Sequence, residues 1–340
     1  MKTLKVTPVK RIEDSLVQLK NAGYVREMRI IQLRHPVVLI MALAENCLKL
    51  FYFNIAAFKS LKHTTIPFNK GNLDYIEQLL TLQHSNPSYF GVRTDRNLLN
   101  VYSLKTKKVV LEIKHPVPST GFFSFFKKKE PETPISLYSC FVGDQVITWA
   151  KNSTRVCFWE LSKKSKSENE LTLSATPSEN YAVFHKRNIL LLQIDQLKYL
   201  QLIDVAKRVL LKTIESPVQK MITAPSTEDN VYFITSTEMQ GITMVTITPS
   251  FLNEKLELAN CSSVYKYTGP CPRFSVLTGG KYVTLSDIRK TMLIDFSGES
   301  SKPHNLTRKD GFDARGFIKI KERNLLFAPA KDGSVWIWRS

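Results

Sequence analysis

The chain ends on DGSVWIWRS, and the apolar pattern of that ending, in which Val335, Ile337 and Trp338 are followed by Arg339, returns six times upstream. The earlier stretches are LKLFYF (48–53), LNVYSL (99–104), VCFWEL (156–161), LQLIDV (200–205), ITMVTI (242–247) and TMLIDF (291–296). The place of Trp338 is taken in turn by Phe51, Tyr102, Trp159, Ile203, Val245 and Ile294, at separations of 51, 57, 44, 42, 49 and 44 residues. A period of this size marks an array of like supersecondary units, none of which can bury its apolar faces alone. No other feature of the chain restricts the fold as much.

Each stretch is preceded by a polar turn and another apolar run, as in YFGVRTDRNLLNVYSL or QVITWAKNSTRVCFWEL. It is usually followed by a Lys-rich turn and a further run such as KKVVLEI. The runs are four to eight residues long and rich in Val, Ile, Leu, Phe and Tyr, which reads as strand, hairpin, strand, hairpin, strand. Helical periodicity is confined to a short segment around Glu13 to Leu19.

In DGSVWIW (332–338), STRVCFWEL (153–161) and RNLLNVYSLKTKKVVLEI (96–113) the pattern resembles the WD40-repeat family, whose units of about 40 to 45 residues each fold as a four-stranded blade. The resemblance covers nearly the whole chain and implies an all-β, seven-bladed β-propeller forming a single domain, 1–340. The departures are clear. No repeat has a Gly-His dipeptide before its first strand, and the Trp-Asp pair appears only as Trp159-Glu160, Ile203-Asp204, Ile294-Asp295 and Trp338-Arg339. The buried His-Asp hydrogen-bond network of the family is therefore not assumed here. The last repeat offers strands at 316–320 and 324–329 and the Trp336-Ile337-Trp338 strand, with nothing left for a fourth. TLKVTPV (3–9) has the length and β-branched content to pair beside those indoles and close the ring.

Composition sets the class of protein. With 340 residues and 43% hydrophobic content the chain can bury a large core, and its longest apolar run, PVVLIMALA (36–44), is about half of what a bilayer requires. The N-terminal MKTLKVTPVKRIEDS lacks an apolar h-region, so no signal peptide is expected. Five scattered cysteines (Cys47, Cys140, Cys157, Cys261, Cys271) without a C-x-x-C pair fit reduced thiols. The expected location is intracellular, with the nucleus or nucleolus favoured over the cytoplasm, where the sequons at Asn152, Asn260 and Asn305 carry no glycan.

Motifs for catalysis are missing: no Gly-rich phosphate loop, G-x-S-x-G, H-E-x-x-H or EF-hand loop is found, and Asp332-Gly333 sits where a hairpin needs a tight turn. No enzyme activity, cofactor or metal site is expected. The histidines (His35, His63, His84, His115, His185, His304) stand apart and read as structural or surface residues, and Cys261, Cys271 and His304 lack metal-ligand spacing.

The net charge of +18 points to an anionic partner, whether RNA, acidic protein or a phospholipid surface. In a propeller the first-to-second and third-to-fourth strand turns of every blade emerge on one face. Basic residues crowd those turns: Lys105, Lys107 and Lys108, then Lys163, Lys164 and Lys166, then Lys186 and Arg187, then Lys207 and Arg208. Solvating the turns and shielding edge strands would account for them equally. A second candidate is the insertion STGFFSFFKKKEPETP (119–134), where Phe122, Phe123, Phe125 and Phe126 abut Lys127, Lys128 and Lys129. These phenylalanines can dock into a partner, stack on bases, enter a membrane interface, or fold back on the protein's own rim. Phosphoinositide-binding propellers carry a paired-arginine motif, against which FDARGF (312–317) offers the single Arg315.

The reading is a non-catalytic scaffold, a subunit of a nuclear or nucleolar ribonucleoprotein assembly of the ribosome-biogenesis kind. Its partners would be other proteins of the complex and RNA or another polyanion, with the homo-oligomeric state left open. The alternative is a membrane-trafficking or phosphoinositide-surface adaptor, a membrane surface being the less favoured partner.

Overall fold

A computed structural model describes residues 7–11, 27–33, 36–43, 47–54, 56–57, 59–67, 79–81, 88–95, 98–116, 137–150, 153–162, 169–194, 199–215, 220–223, 230–239, 242–260, 264–269, 273–276, 282–286, 291–296, 301–306, 318–320, 325–329 and 335–339. After β1 (Thr7–Arg11) the strands come in groups. Sheet 1 holds β2 (Glu27–Gln32), β3 (Val37–Leu43), β4 (Cys47–Asn54) and β5 (Lys59–Pro67). Sheet 2 holds β6 (Leu79–Thr81), β7 (Tyr89–Asp95), β8 (Leu98–Ser103) and β9 (Val109–Lys114). Sheet 3 holds β10 (Leu137–Val142), β11 (Gln145–Ala150), β12 (Arg155–Glu160) and β13 (Glu170–Thr172). Sheet 4 holds β14 (Pro177–Phe184), β15 (Ile189–Ile194), β16 (Tyr199–Asp204) and β17 (Val209–Glu215).

Sheet 5 is built from β18 (Lys220–Thr223), β19 (Asn230–Met239) and β20 (Ile242–Leu252), with β21 (Leu258–Asn260) and β22 (Tyr265–Gly269) both paired to β20. Sheet 6 holds β23 (Arg273–Val276), β24 (Tyr282–Ser286), β25 (Thr291–Asp295) and β26 (Lys302–Leu306). Sheet 7 combines β27 (Ile318–Ile320), β28 (Leu325–Pro329) and β29 (Val335–Arg339) with β1. Among the described residues every strand pairing is antiparallel and joins neighbours in sequence, except that β1 joins β29 and β22 joins β20, also antiparallel. The β1 register, Thr7 opposite Arg339 and Arg11 opposite Trp336, shifts between Pro8 and Lys10. The expected pairing segment was 3–9; its first residues, 3–6, lie outside the described residues, as do the expected helix around Glu13 to Leu19 and the insertion 119–134.

All seven repeated stretches fall on the third strand of a sheet, but the alignment of two of them changes. Trp338 lies opposite Leu326, the second residue of its sheet's second strand. The residues in that register elsewhere are Phe53, Tyr102, Trp159, Ile203, Ser250 and Ile294. Phe53 and Ser250 thus replace Phe51 and Val245. Apolar residues recur along strands longer than the six-residue pattern, so the run by itself does not fix which of them takes that register.

The second strands explain why the runs are continuous rather than alternating. Among the described side chains, β15 is buried at every position and β3 and β11 at all but their first. A strand covered on both faces has no polar side to show. Outer strand β9 alternates with exposed positions along its second half, and β17 has no buried position. In β5, β9 and β17 the ladder slips by one residue near its start, leaving Leu61, Val110 and Leu211 as the extra residues. Such bulges twist an open edge away from further strand pairing.

The chain divides into two compact units, one of Met1–Lys70, His84–Pro87 and Val218–Ser340, the other of Gly71–Gln83 and Ser88–Pro217. The first holds sheets 1, 5, 6 and 7. In it, Tyr232, Ile234, Val245, Ile247 and Tyr267 of sheet 5 pack on Val283, Leu285, Met292 and Ile294 of sheet 6. The second unit holds sheets 2, 3 and 4. Leu99, Val101 and Ile113 meet Phe141, Val146 and Trp159 between sheets 2 and 3. Ile147, Trp149 and Phe158 meet Leu190, Leu192 and Ile203 between sheets 3 and 4. Fully burying each such side chain contributes about 1.5–3 kcal/mol. Polar ties cross the same seams: the buried Arg93 donates from Nη1 to the Leu137 carbonyl, and Trp149 Nε1 donates to the Ser178 carbonyl at 2.8 Å.

Candidate basic interaction face

In the second unit one hydrogen bond is repeated in each sheet. The residue after the third strand donates its N–H to the carbonyl just before the second: Leu104 to Ser88 at 2.9 Å, Leu161 to Asp144 at 3.1 Å and Val205 to Asn188 at 2.9 Å. These bonds bring the two kinds of turn together at one end of each sheet.

Local sequence builds the turns. Ser103 and Asp204 end their strands and accept with their side chains from Thr106 N at 3.3 Å and Lys207 N at 2.9 Å. Their carbonyls then accept from Lys107 N at 2.8 Å and Arg208 N at 2.7 Å. Side-chain acceptors two or three residues upstream are what Ser and Asp supply in turns. The final residue must take a left-handed conformation, and Lys107 and Arg208 do so with φ of 62° and 60°. The turn between β14 and β15 uses Asn188 at φ 53°, a residue type that tolerates that region.

The basic side chains divide by what they touch. Lys105 and Lys108 are exposed, as are Lys186 and Arg187. Lys107 Nζ turns back to the Leu104 carbonyl. Lys207 Nζ lies 3.8 Å from Asp204 Oδ2 with its side chain 77% exposed, so this pair is worth little. Arg208 Nη2 donates to Glu160 Oε1 at 2.5 Å with both side chains about three-quarters covered, joining sheet 4 to sheet 3. Arg208 is thus a tie between sheets as well as part of the basic end. Lys163, Lys164 and Lys166 lie outside the described residues, as do Phe122, Phe123, Phe125, Phe126, Lys127, Lys128, Lys129 and Arg315.

A buried polar group escaped the reading of the sequence. His115, 1% exposed, follows β9, and its Nδ1 is 2.9 Å from Thr148 Oγ1, which also accepts from Trp159 Nε1 at 2.9 Å. Desolvation, then the Arg155 charge, holds the imidazole down to about 4, so the ring is neutral at pH 7. A buried imidazole thus meets Thr148 of the neighbouring sheet. Its signal was hidden because Lys114 rather than Gly precedes it and because Leu137, the start of the next strand, lies beyond the insertion.

Burial raises the Cys140 thiol far above its ordinary range and Cys157 to about 12, the latter also through Glu170. Both are neutral thiols and poor nucleophiles. Among the described residues no group of three or more His, Cys, Asp or Glu could hold a metal ion.

No protein-family profile matches the chain, and no curated protein does. Solved structures do. The β-propeller domain of Cps50 (Swd1) from Myceliophteria thermophila superposes with a TM-score of 0.62 at 10% identity, covering 98% of this chain and 99% of that one. A chain of the Mitotic Checkpoint Complex superposes with a TM-score of 0.59 at 7% identity, covering 100% and 94%. The fold is that of solved β-propeller structures.

Proposed function

We propose that this chain is a non-catalytic scaffold in which seven blades close into one propeller, with β1 supplying the last strand beside β29, and that it serves a multi-subunit assembly. The carrying observation is the repeated bond that, in sheets 2 and 4, sets the turn bearing basic residues after the third strand beside the start of the second. A row of turns rich in Lys and Arg suits an anionic partner. A scaffold role has further support in the similarity to a chain of the Mitotic Checkpoint Complex, itself a multi-protein assembly by name. The finer setting we propose is a nuclear or nucleolar ribonucleoprotein complex, on the charge of +18.

The test is binding to RNA and to anionic liposomes, measured side by side over a range of salt. Log affinity for RNA should fall linearly with log salt, by about 0.7 to 0.9 per phosphate neutralised. Reversing Lys105, Lys107, Lys108, Lys163 and Lys164 to Glu should weaken binding and flatten the slope more than five reversals elsewhere. Equal losses from both sets would leave only a diffuse field, and preference for liposomes would move the protein to a membrane surface.

A further inference from the structure

Among the described pairs of first and second strands, that of β14 with β15 alone shifts register. Pro177 lies opposite Ile194 and Tyr181 opposite Leu192, so Ser178, Glu179 and Asn180 together stand against Gln193. This bulge is fixed from three directions. Trp149 Nε1 of sheet 3 donates to the Ser178 carbonyl at 2.8 Å, Ser178 Oγ accepts from Asn180 N at 3.0 Å, and Asn180 Nδ2 donates to Oε1 of the fully covered Gln193 at 2.8 Å. Bulges re-aim side chains, and the exposed one here is Glu179.

The carboxylate leaves the backbone beside aromatic rings. The Ser178 carbonyl that accepts the indole N–H is bonded to the Glu179 nitrogen, which puts the Glu179 Cα within about 6 Å of Trp149 Nε1. Trp149 is fully covered, with Tyr138 directly opposite it in the β10–β11 ladder at 6.1 Å between ring centroids and Tyr181 of sheet 4 edge-on at 5.2 Å. Both tyrosines are partly exposed. The buried cation of this region, Arg93, reaches the Leu137 carbonyl from sheet 2, on the side of β10 where Leu137 packs; Tyr138 packs on the other side, toward sheet 4.

We infer that Glu179, Tyr138 and Tyr181 receive an arginine side chain of a partner protein at the seam between sheets 3 and 4. A carboxylate pairs with a guanidinium through two parallel hydrogen bonds, and tyrosine rings attract a planar cation; arginine is the side chain that uses both. The site is opposite in sign to the basic turns and does not depend on them. In a chain of net charge +18 a cationic probe is repelled by the protein as a whole, so its binding reports a local site.

The test uses the full chain and three labelled glycine-serine peptides whose central residue is arginine, lysine or citrulline, the neutral counterpart of arginine, at about 150 mM salt. The arginine peptide should bind about tenfold more tightly than the citrulline peptide, with lysine between them. Glu179→Gln should remove the margin over citrulline, whereas Glu254→Gln, at an exposed carboxylate in the turn after β20, should leave it intact. Tyr181→Leu should narrow the margin of arginine over lysine; where that variant lowers the melting temperature, Tyr138→Leu replaces it in the same comparison. Equal binding of the arginine and citrulline peptides would mean that the rings alone hold the probe, and it overturns the inference. An unchanged margin in Glu179→Gln, tighter binding of lysine than of arginine, or no binding by any of the three overturns it as well, and each of these results leaves the anion-binding reading standing.

Discussion

Two residues in nearly identical turns should respond differently to the same change. Lys107 and Arg208 both hold positive φ, a conformation that costs an L-residue about 1 kcal/mol and glycine nothing. Lys107→Gly should therefore stabilise the protein by up to about 1 kcal/mol, less the entropy glycine adds to the unfolded chain, as read by urea unfolding. Arg208→Gly relieves the same backbone but removes the charge-assisted bond to the partly covered Glu160, so it should be neutral or destabilising. His115 sets a pH dependence. Its folded pKa of about 4 lies below the ordinary 6.5, so the unfolded chain takes up a proton first as pH falls. Stability should be constant above about pH 6.5 and decline toward pH 4 by up to ~1.4 kcal/mol per unit. Unfolding midpoints over that range should slope in the parent and flatten in His115→Gln. A parent without the slope would mean that the ring is not held neutral.

At the level of elements, sheet 5 departs from its neighbours. Its third strand runs eleven residues, Ile242–Leu252, and meets two short partners, β21 and β22, in place of one. β22 ends at Gly269, where an added Cβ would lie 2.2 Å from the Tyr267 hydroxyl oxygen. Tyr267 is itself packed in the cluster between sheets 5 and 6, so its ring has little freedom to withdraw. Gly269→Ala should loosen β22, lowering the melting temperature and speeding amide exchange at 265–269 relative to β19. Unchanged exchange there would show that Tyr267 gives way without cost. The outer strands β5, β9 and β17 carry bulges, whereas β20 pairs with β22 without a register shift. Edge protection thus differs between blades built on the same plan.

For the whole molecule the decisive contact is β1 on β29, which joins residues at opposite ends of the chain. Deleting 1–11 should expose the β29 edge, lower the melting temperature sharply and shift tryptophan emission toward longer wavelength; a truncated chain that melts and fluoresces like the parent would refute closure by this strand. The period of 42 to 57 residues, the short apolar runs and the Lys-rich turns were legible in the sequence because each is local: strand length, burial on both faces and turn chemistry all leave their mark within a dozen residues. Register was not. Phe51 and Phe53 are both apolar residues of one strand, and only pairing with Val38 distinguishes them. The same holds for Ser250, a polar residue at an apolar position that becomes visible only opposite Val231. The His115–Thr148–Trp159 network and the Arg208–Glu160 tie were equally beyond reach, since their members lie up to 48 residues apart and each draws on two sheets. What the sequence by itself determined is the all-β kind of unit and its recurrence along the chain. Which side chains face one another was decided by the tertiary structure, because neighbouring sheets meet through surfaces assembled from several strands, and no single run of residues records that meeting.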